Sequence, residues 1–266
     1  MHMAEELYRE NGQYGASLLS MRGITKKFGG VIALKDIDFV LHTGEIVALI
    51  GDNGAGKSTL IKIISGVYEP DEGEIFIEGE KVKNLDPLQA RNMGIETVYQ
   101  DLALFEIMDV TANLFAGREI KNAGVFLNKK KMERLAKDSL NKTGISIRSL
   151  RQRVAELSGG QKHAVAIART VYVSGSPNII LMDEPTAGLG VKESDKLLDI
   201  IKNLRKAGKA VILITHNLDH AFIVADRFVI LREGMKVGER LVDETNSMEL
   251  IEMMVGVVKT TNHNST

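Results

Sequence analysis

An α/β fold with a mainly parallel sheet, an antiparallel β flank and an inserted helical subdomain is predicted for this 266-residue chain. Three observations predict it. Continuous apolar runs at Ile46–Ile50, 179–182 and Ala210–Ile214 suit strands buried on both faces, and each precedes a helical pattern. Other segments alternate apolar and charged residues around tight turns, as antiparallel strands do. Between Leu104 and Gly160 the pattern is mainly helical instead.

The elements follow in order. After Ile50 comes Gly51-Asp52-Asn53-Gly54-Ala55-Gly56-Lys57-Ser58, then a helical segment 57–65. Residues 74–78 alternate and turn at Gly79-Glu80. Residues 95–99 lead directly to Gln100. In the helical stretch, Met132, Leu135 and Leu140 are candidate buried positions, and Lys129-Lys130-Lys131 reads as a solvated helix face. Between the second and third runs, Leu197, Ile201 and Leu204 share one helix face, away from Lys192, Asp199 and Lys202. Arg205 and Lys206 in its last turn and Gly208 beyond it mark that helix's end. Strand, helix, strand at these lengths means a right-handed crossover and a parallel sheet. Residues 228–231 and 235–237 flank a Glu233-Gly234 turn and read as an antiparallel pair.

Composition narrows the classes. A formal charge of −1 gives no electrostatic footprint for nucleic acid or anionic lipid. With no cysteine there is no disulfide framework, thiolate zinc site or cysteine nucleophile. No apolar run of membrane-spanning length occurs, and residues 1–17 are polar where a signal peptide needs an apolar core.

The segment 51–58 fits G-x-x-x-x-G-K-[ST], a phosphate loop in the strand-to-helix context that the motif needs. Its glycines let backbone N–H groups turn around phosphate oxygens, and the following helix directs its positive end at the same anion. Lys57 would neutralise the β- and γ-phosphates, and the Ser58 hydroxyl would ligate Mg²⁺. Asp183-Glu184 follows a buried strand at the carboxyl edge of the sheet, where ligands bind in open α/β folds. Adjacent carboxylates there call for a cation or a shared proton.

Together with Leu157-Ser158-Gly159-Gly160-Gln161, these motifs resemble the ATP-binding-cassette (ABC) ATPases, over about residues 18–254. The resemblance implies a single P-loop NTPase domain over 18–259, with a helical subdomain at about 104–164 and tails at 1–17 and 260–266. It implies ATP and Mg²⁺ as ligands. Residues 51–59, Thr59 included, would hold the phosphates, and Phe28, expected ahead of the first strands, would stack on adenine. Ser58, Gln100 and Asp183 would serve the metal. Glu184 would activate water, His216 would contact the γ-phosphate, and Gln100 would sense the membrane partner. Ser158, Gly159, Gly160 and Gln161 would serve ATP held by the opposite subunit, so two chains sandwich two ATP molecules.

Three stretches look most like monosaccharide importers: 94–100, 115–119 and 188–194. Implied partners are a second ATPase subunit, expected as an identical chain, membrane permease subunits and, indirectly, a solute-binding protein, with the chain peripheral on the cytoplasmic side of the membrane. An export system or another solute class stays open. Two departures stand out: Gly190 occupies a position where the family commonly has aspartate, and Lys162-His163-Ala164 replaces Arg-Gln-Arg. His42, His163 and His220 read as ordinary structural histidines.

Overall fold

The computed structural model describes residues 16–122, 126–173, 175 and 177–256. Two sheets enclose the main core. In the first, β1 (Ser17–Phe28) pairs antiparallel with β2 (Val31–His42) and β4 (Glu72–Ile77), and β4 pairs with β5 (Glu80–Val82). The second holds β3 (Ile46–Ile50), β6 (Ile95–Val98), β9 (Ile179–Asp183), β10 (Ala210–Ile214), β11 (Arg227–Arg232) and β12 (Met235–Leu241) in the order β12-β11-β3-β10-β9-β6. Every pair in that sheet is parallel except β11 with β12. The segment expected as part of an antiparallel flank therefore splits its loyalties: β11 turns back on β12 and also joins the parallel sheet beside β3.

The continuous apolar runs have a clear physical origin. In β3, Val47 and Leu49 face the core shared with the first sheet and with α1 (Lys57–Ile64), whereas Ile46, Ala48 and Ile50 face the opposite layer. That layer contains α6 (Val191–Lys206), α7 (Leu218–Val224) and α8 (Ser247–Val255). A strand covered on both sides cannot alternate. On α6, Leu197, Ile201 and Leu204 are buried as expected, and Gly208 takes a left-handed φ of 76° just past the end.

The remaining elements are α2 (Pro87–Asn92), α3 (Val110–Phe115), the short pair β7 (Lys121–Asn122) and β8 (Phe126–Leu127), α4 (Lys129–Asn141) and α5 (Gly159–Ile167). A π-helical segment, Ala168–Val173, continues α5 directly. Residues of α3, α4, α5 and this segment form a separate hydrophobic cluster around Val110, Leu114, Met132, Ala136, Leu140 and Val165. Met132 and Leu140 are buried and Leu135 is half-buried; Lys129, Lys130 and Lys131 are exposed. The helical lobe thus runs past the expected 164 to 173. Ser17 already belongs to β1 rather than to a tail, and residues 257–266, which include the expected domain end at 259, lie outside the described residues.

Candidate functional site

Four loops leave the same carboxyl edge of the parallel sheet, because β3, β10, β9 and β6 are in parallel register with Ile214 opposite Leu49 and Asp183, and Val98 opposite Met182. They carry the phosphate loop, Glu184, His216 and Gln100. Residues far apart in sequence are brought together by register alone.

The phosphate loop is locked in place by its glycines. Gly51, Gly54 and Gly56 have φ of 151°, 83° and 103°. A Cβ on Gly51 would lie 2.2 Å from the Leu231 carbonyl oxygen, and one on Gly56 would lie 2.8 Å from that of Ala33. The β11–β12 turn clasps the loop from outside, with Gly234 N–H donating to Ala55 O and Lys35 N–H to Gly234 O. Lys57 is buried, and its Nζ donates to the carbonyls of Gly51 (2.6 Å) and Asp52 (2.9 Å). Burial pulls the lysine pKa below its ordinary value, opposed by Glu184, Asp52 and Asp183. No side chain caps the N-terminus of α1, so its first N–H groups are left for an anion. Ser58, Asp52, Asn53 and Gly54 are exposed, and Thr59 is half-buried.

Asp183 ends β9, and its carboxyl is pushed up by burial, against the pull of Lys57, Lys62 and His216. Glu184 sits in the left-handed region at φ 48°, fixed by its N–H donating to Ile214 O at 3.0 Å. Such a backbone costs a non-glycine residue on the order of 1 kcal/mol and turns the side chain off the strand line. Burial also raises the Glu184 pKa, with His216 acting in the opposite sense. His216 N–H donates to Glu184 Oε2 at 3.4 Å. The His216 ring Nε2 lies 3.1 Å from Glu184 Oε1, close enough for an ion pair yet without hydrogen-bond alignment. Among the described residues Oε1 is therefore a buried acceptor without a hydrogen-bond donor. Gln100 is exposed, two residues beyond β6.

Phe28 is the last residue of β1, not ahead of the strands as expected. It is 42% exposed, and Tyr68 meets it edge-on at a centroid distance of 5.1 Å. Tyr68 carries no motif, so its role as a prop for this ring was not readable from sequence.

The signature segment stands apart. Ala55 and the α1 residues belong to the core between the sheets, whereas Leu157 and Val165 belong to the lobe's cluster. Ser158 is the N-cap of α5: its Oγ accepts from Gln161 N–H at 3.3 Å, and Gln161 Oε1 accepts from Ser158 N–H at 3.0 Å. Gln161 Nε2 donates to Ser146 O, so that amide holds the turn together from both ends. Behind α5, Arg169 donates to the carbonyls of Ala103 and Leu102, tying the lobe to the segment after Gln100. Sequence patterning gave no hint of this clamp. The three other histidines among the described residues have structural partners: His42 with Glu45, His163 with Gly159 O and His220 with Thr186 Oγ1.

Three kinds of similarity accompany this geometry. The family profile described as ABC transporter matches residues 34–187. The chain is 48% identical to the xylose/arabinose import ATP-binding protein XylG of Sulfolobus acidocaldarius, over 90% of this chain and 94% of that one. It is 46% identical to the fructose import ATP-binding protein FrcA of Rhizobium meliloti, over 83% and 86% of the two chains. A ribose import ATP-binding protein of Rubrobacter xylanophilus is 41% identical over 90% of this chain, which spans about half (47%) of that protein. Among solved structures, the ADP conformation of the cassette MJ1267 has a TM-score of 0.79 at 26% identity, covering 91% of this chain and 99% of that one. A dimeric post-hydrolysis state of the cassette MJ0796 bound to ADP and Pi has a TM-score of 0.72 at 29% identity, covering 85% and 99%. The chain belongs to the ABC transporter family, as an ATP-binding cassette with ATPase activity.

Proposed function

We propose that this cassette energises sugar import, working as a head-to-tail pair of identical chains beneath membrane permease subunits that a solute-binding protein supplies. The observation that carries the reading is the meeting of Lys57, Asp183, Glu184 and His216 at one sheet edge while the signature turn lies in a separate lobe. The phosphates of ATP would lie over residues 51–59 against the open N-terminus of α1, with adenine against Phe28. Ser158, Gly159 and Gly160 of the opposite chain would close the γ-phosphate from the other side, Gln161 supporting that turn. The names of the relatives support a pentose or hexose as cargo, and the cytoplasmic face of the membrane, the side that holds ATP, is where such a chain would work.

Glu184 takes a proton from the attacking water. Its raised pKa makes it a better base than an exposed carboxylate, and His216 holds the carboxylate from the other side. Ser58, Gln100 and Asp183 offer hard oxygen donors suited to Mg²⁺. Among the described residues no group of three or more His, Cys, Asp or Glu forms a metal cage, so this set fits a cation that takes further ligands from phosphate and water. The cation would supply neutralisation of phosphate charge beside Lys57.

Replacing Glu184 by Gln preserves size while removing the base. ATP binding is expected to persist and steady-state turnover to fall ~10²-fold or more. Turnover within a few-fold of wild type would remove Glu184 from this role.

Docking would use the lobe side of the Gln100 segment. Of three apolar residues in that stretch, Phe105 and Ile107 are 53% and 86% exposed, whereas Leu104 packs into the lobe's cluster. Phe105 also lines a groove of about 280 Å³ with Tyr99, Glu96, Arg91 and Arg118.

A further inference from the structure

The two glycines of the signature turn are each covered by a residue from the segment that follows Glu184. A Cβ on Gly159 would be in ordinary contact with Leu189 Cδ2 at 3.6 Å. At Gly160 there is no room: a Cβ there would lie 2.5 Å from Glu193 Cγ and 3.1 Å from Glu193 Cβ. The second of these is the fixed root of the side chain, not its mobile end, so Gly160 is glycine because Glu193 occupies its side-chain space.

Glu193 also turns back on its own helix. Its Oε2 accepts from Gly190 N–H at 3.1 Å, at the start of α6. A Cβ on residue 190 would stand 2.7 Å from that same oxygen. Glycine at 190 thus leaves space for the returning carboxylate, and glycine at 160 leaves space for the stem. One side chain spans both. The segment it grips is short: Glu184, Pro185, Thr186 and Ala187 lead directly to Gly188-Leu189-Gly190. Thr186 is held separately by His220 from α7.

We infer that Glu193 is a positioning residue that clasps the signature turn 158–160 to the loop 186–190, so that the surface offered to the opposite chain's ATP is set by the loop leaving Glu184. The inference rests on the head-to-tail reading above. Its consequence is specific: losing Glu193 impairs what the chain does for its partner's nucleotide and spares what it does for its own. Glutamine retains the methylene stem over Gly160 and an oxygen acceptor for Gly190 N–H, whereas alanine retains neither.

The test uses the full chain in a Glu184→Gln background, with a fluorescent ATP analogue for binding and light scattering for association. With Glu193→Ala, the ATP concentration giving half-maximal dimer is expected to rise about fivefold to tenfold, the range of a lost helix-cap interaction. Affinity for the analogue at protein concentrations where the chain is monomeric should stay within twofold. Glu193→Gln should restore association to within twofold of the parent. Unchanged association in Glu193→Ala overturns the clasp. So does a loss that nucleotide affinity or the unfolding midpoint follows in parallel, or that glutamine fails to rescue. If the parent itself stays monomeric with ATP, the head-to-tail reading fails and the role of Glu193 goes with it.

Discussion

Two helix N-termini in this molecule sit beside glycine-rich turns, and they are finished in opposite ways. The helix after the phosphate loop, α1, starts from a left-handed glycine with no side-chain cap, and its lysine bends back onto the loop's carbonyls. The helix after the signature turn, α5, is closed by a reciprocal Ser158–Gln161 cap and roofed by Glu193. The first is embedded in the core between two sheets and left open toward an anion. The second is self-satisfied, on a lobe with its own core. An uncapped buried helix end is built to be completed by a ligand within its own chain. A capped and exposed one can persist without a ligand and meet it later, on another chain.

The strongest way to break this contrast is to add one methyl group to each turn. In Gly51→Ala the new carbon meets a backbone carbonyl of β11 at 2.2 Å in a φ region closed to L residues. We expect at least about 3 kcal/mol of destabilisation, read by chemical denaturation. Gly159→Ala has space, at 3.6 Å from its nearest neighbour. Its stability should change by less than about 1 kcal/mol, in the stabilising direction given alanine's helix propensity. Comparable losses at both sites would mean that the two turns are built alike.

The lobe's exposed apolar residues sharpen the contrast at the level of partners. Phe105→Asp should abolish association with a co-expressed permease, and sugar uptake with it. Nucleotide binding should be unaffected, since Phe105 lies outside the core that holds the phosphate loop. Transport that survives the change would move the docking surface elsewhere.

A smaller effect follows from the raised Glu184 pKa. A carboxylic acid whose folded pKa lies above its unfolded one is protonated in both states at low pH and therefore carries no penalty there. The penalty grows as pH rises from the unfolded value through the folded value. Glu184→Gln should accordingly unfold about one to a few degrees above wild type at pH 7.5, and the gap should close below about pH 4. A gap independent of pH would show that the carboxylate ionises as easily in the fold as in the unfolded chain.

Much of the site was legible in sequence because its motifs have strict backbone demands. Gly51, Gly54 and Gly56 mark left-handed positions, and the three apolar runs mark strands buried on two sides. From those, the edge carrying Lys57, Asp183, Glu184 and His216 follows. What could not be read depends on packing between distant segments. The long strands β1 and β2 lack clean alternation because register shifts interrupt their pairing, and Asp36 takes a positive φ within β2. The dual pairing of β11 has no local signature. Tyr68 beside Phe28, Arg169 on the carbonyls of Leu102 and Ala103, and Glu193 over Gly160 are all contacts between elements; Tyr68 and Arg169 belong to no motif, and the stretch 188–194 that holds Glu193 carries no sign of its contact with Gly160. Gly190, read as a missing aspartate, has its physical reason in the Glu193 carboxylate beside it.

The central claim is that one turn serves the chain's own nucleotide and the other serves its neighbour's. The most direct measurement is the molar mass of the Glu184→Gln protein by light scattering at saturating ATP and at saturating ADP. The account predicts twice the monomer mass with ATP and the monomer mass with ADP, and replacing Ser158 by Ala should shift the ATP-dependent species toward monomer. A monomer in both nucleotides, or a dimer indifferent to which is bound, would contradict it.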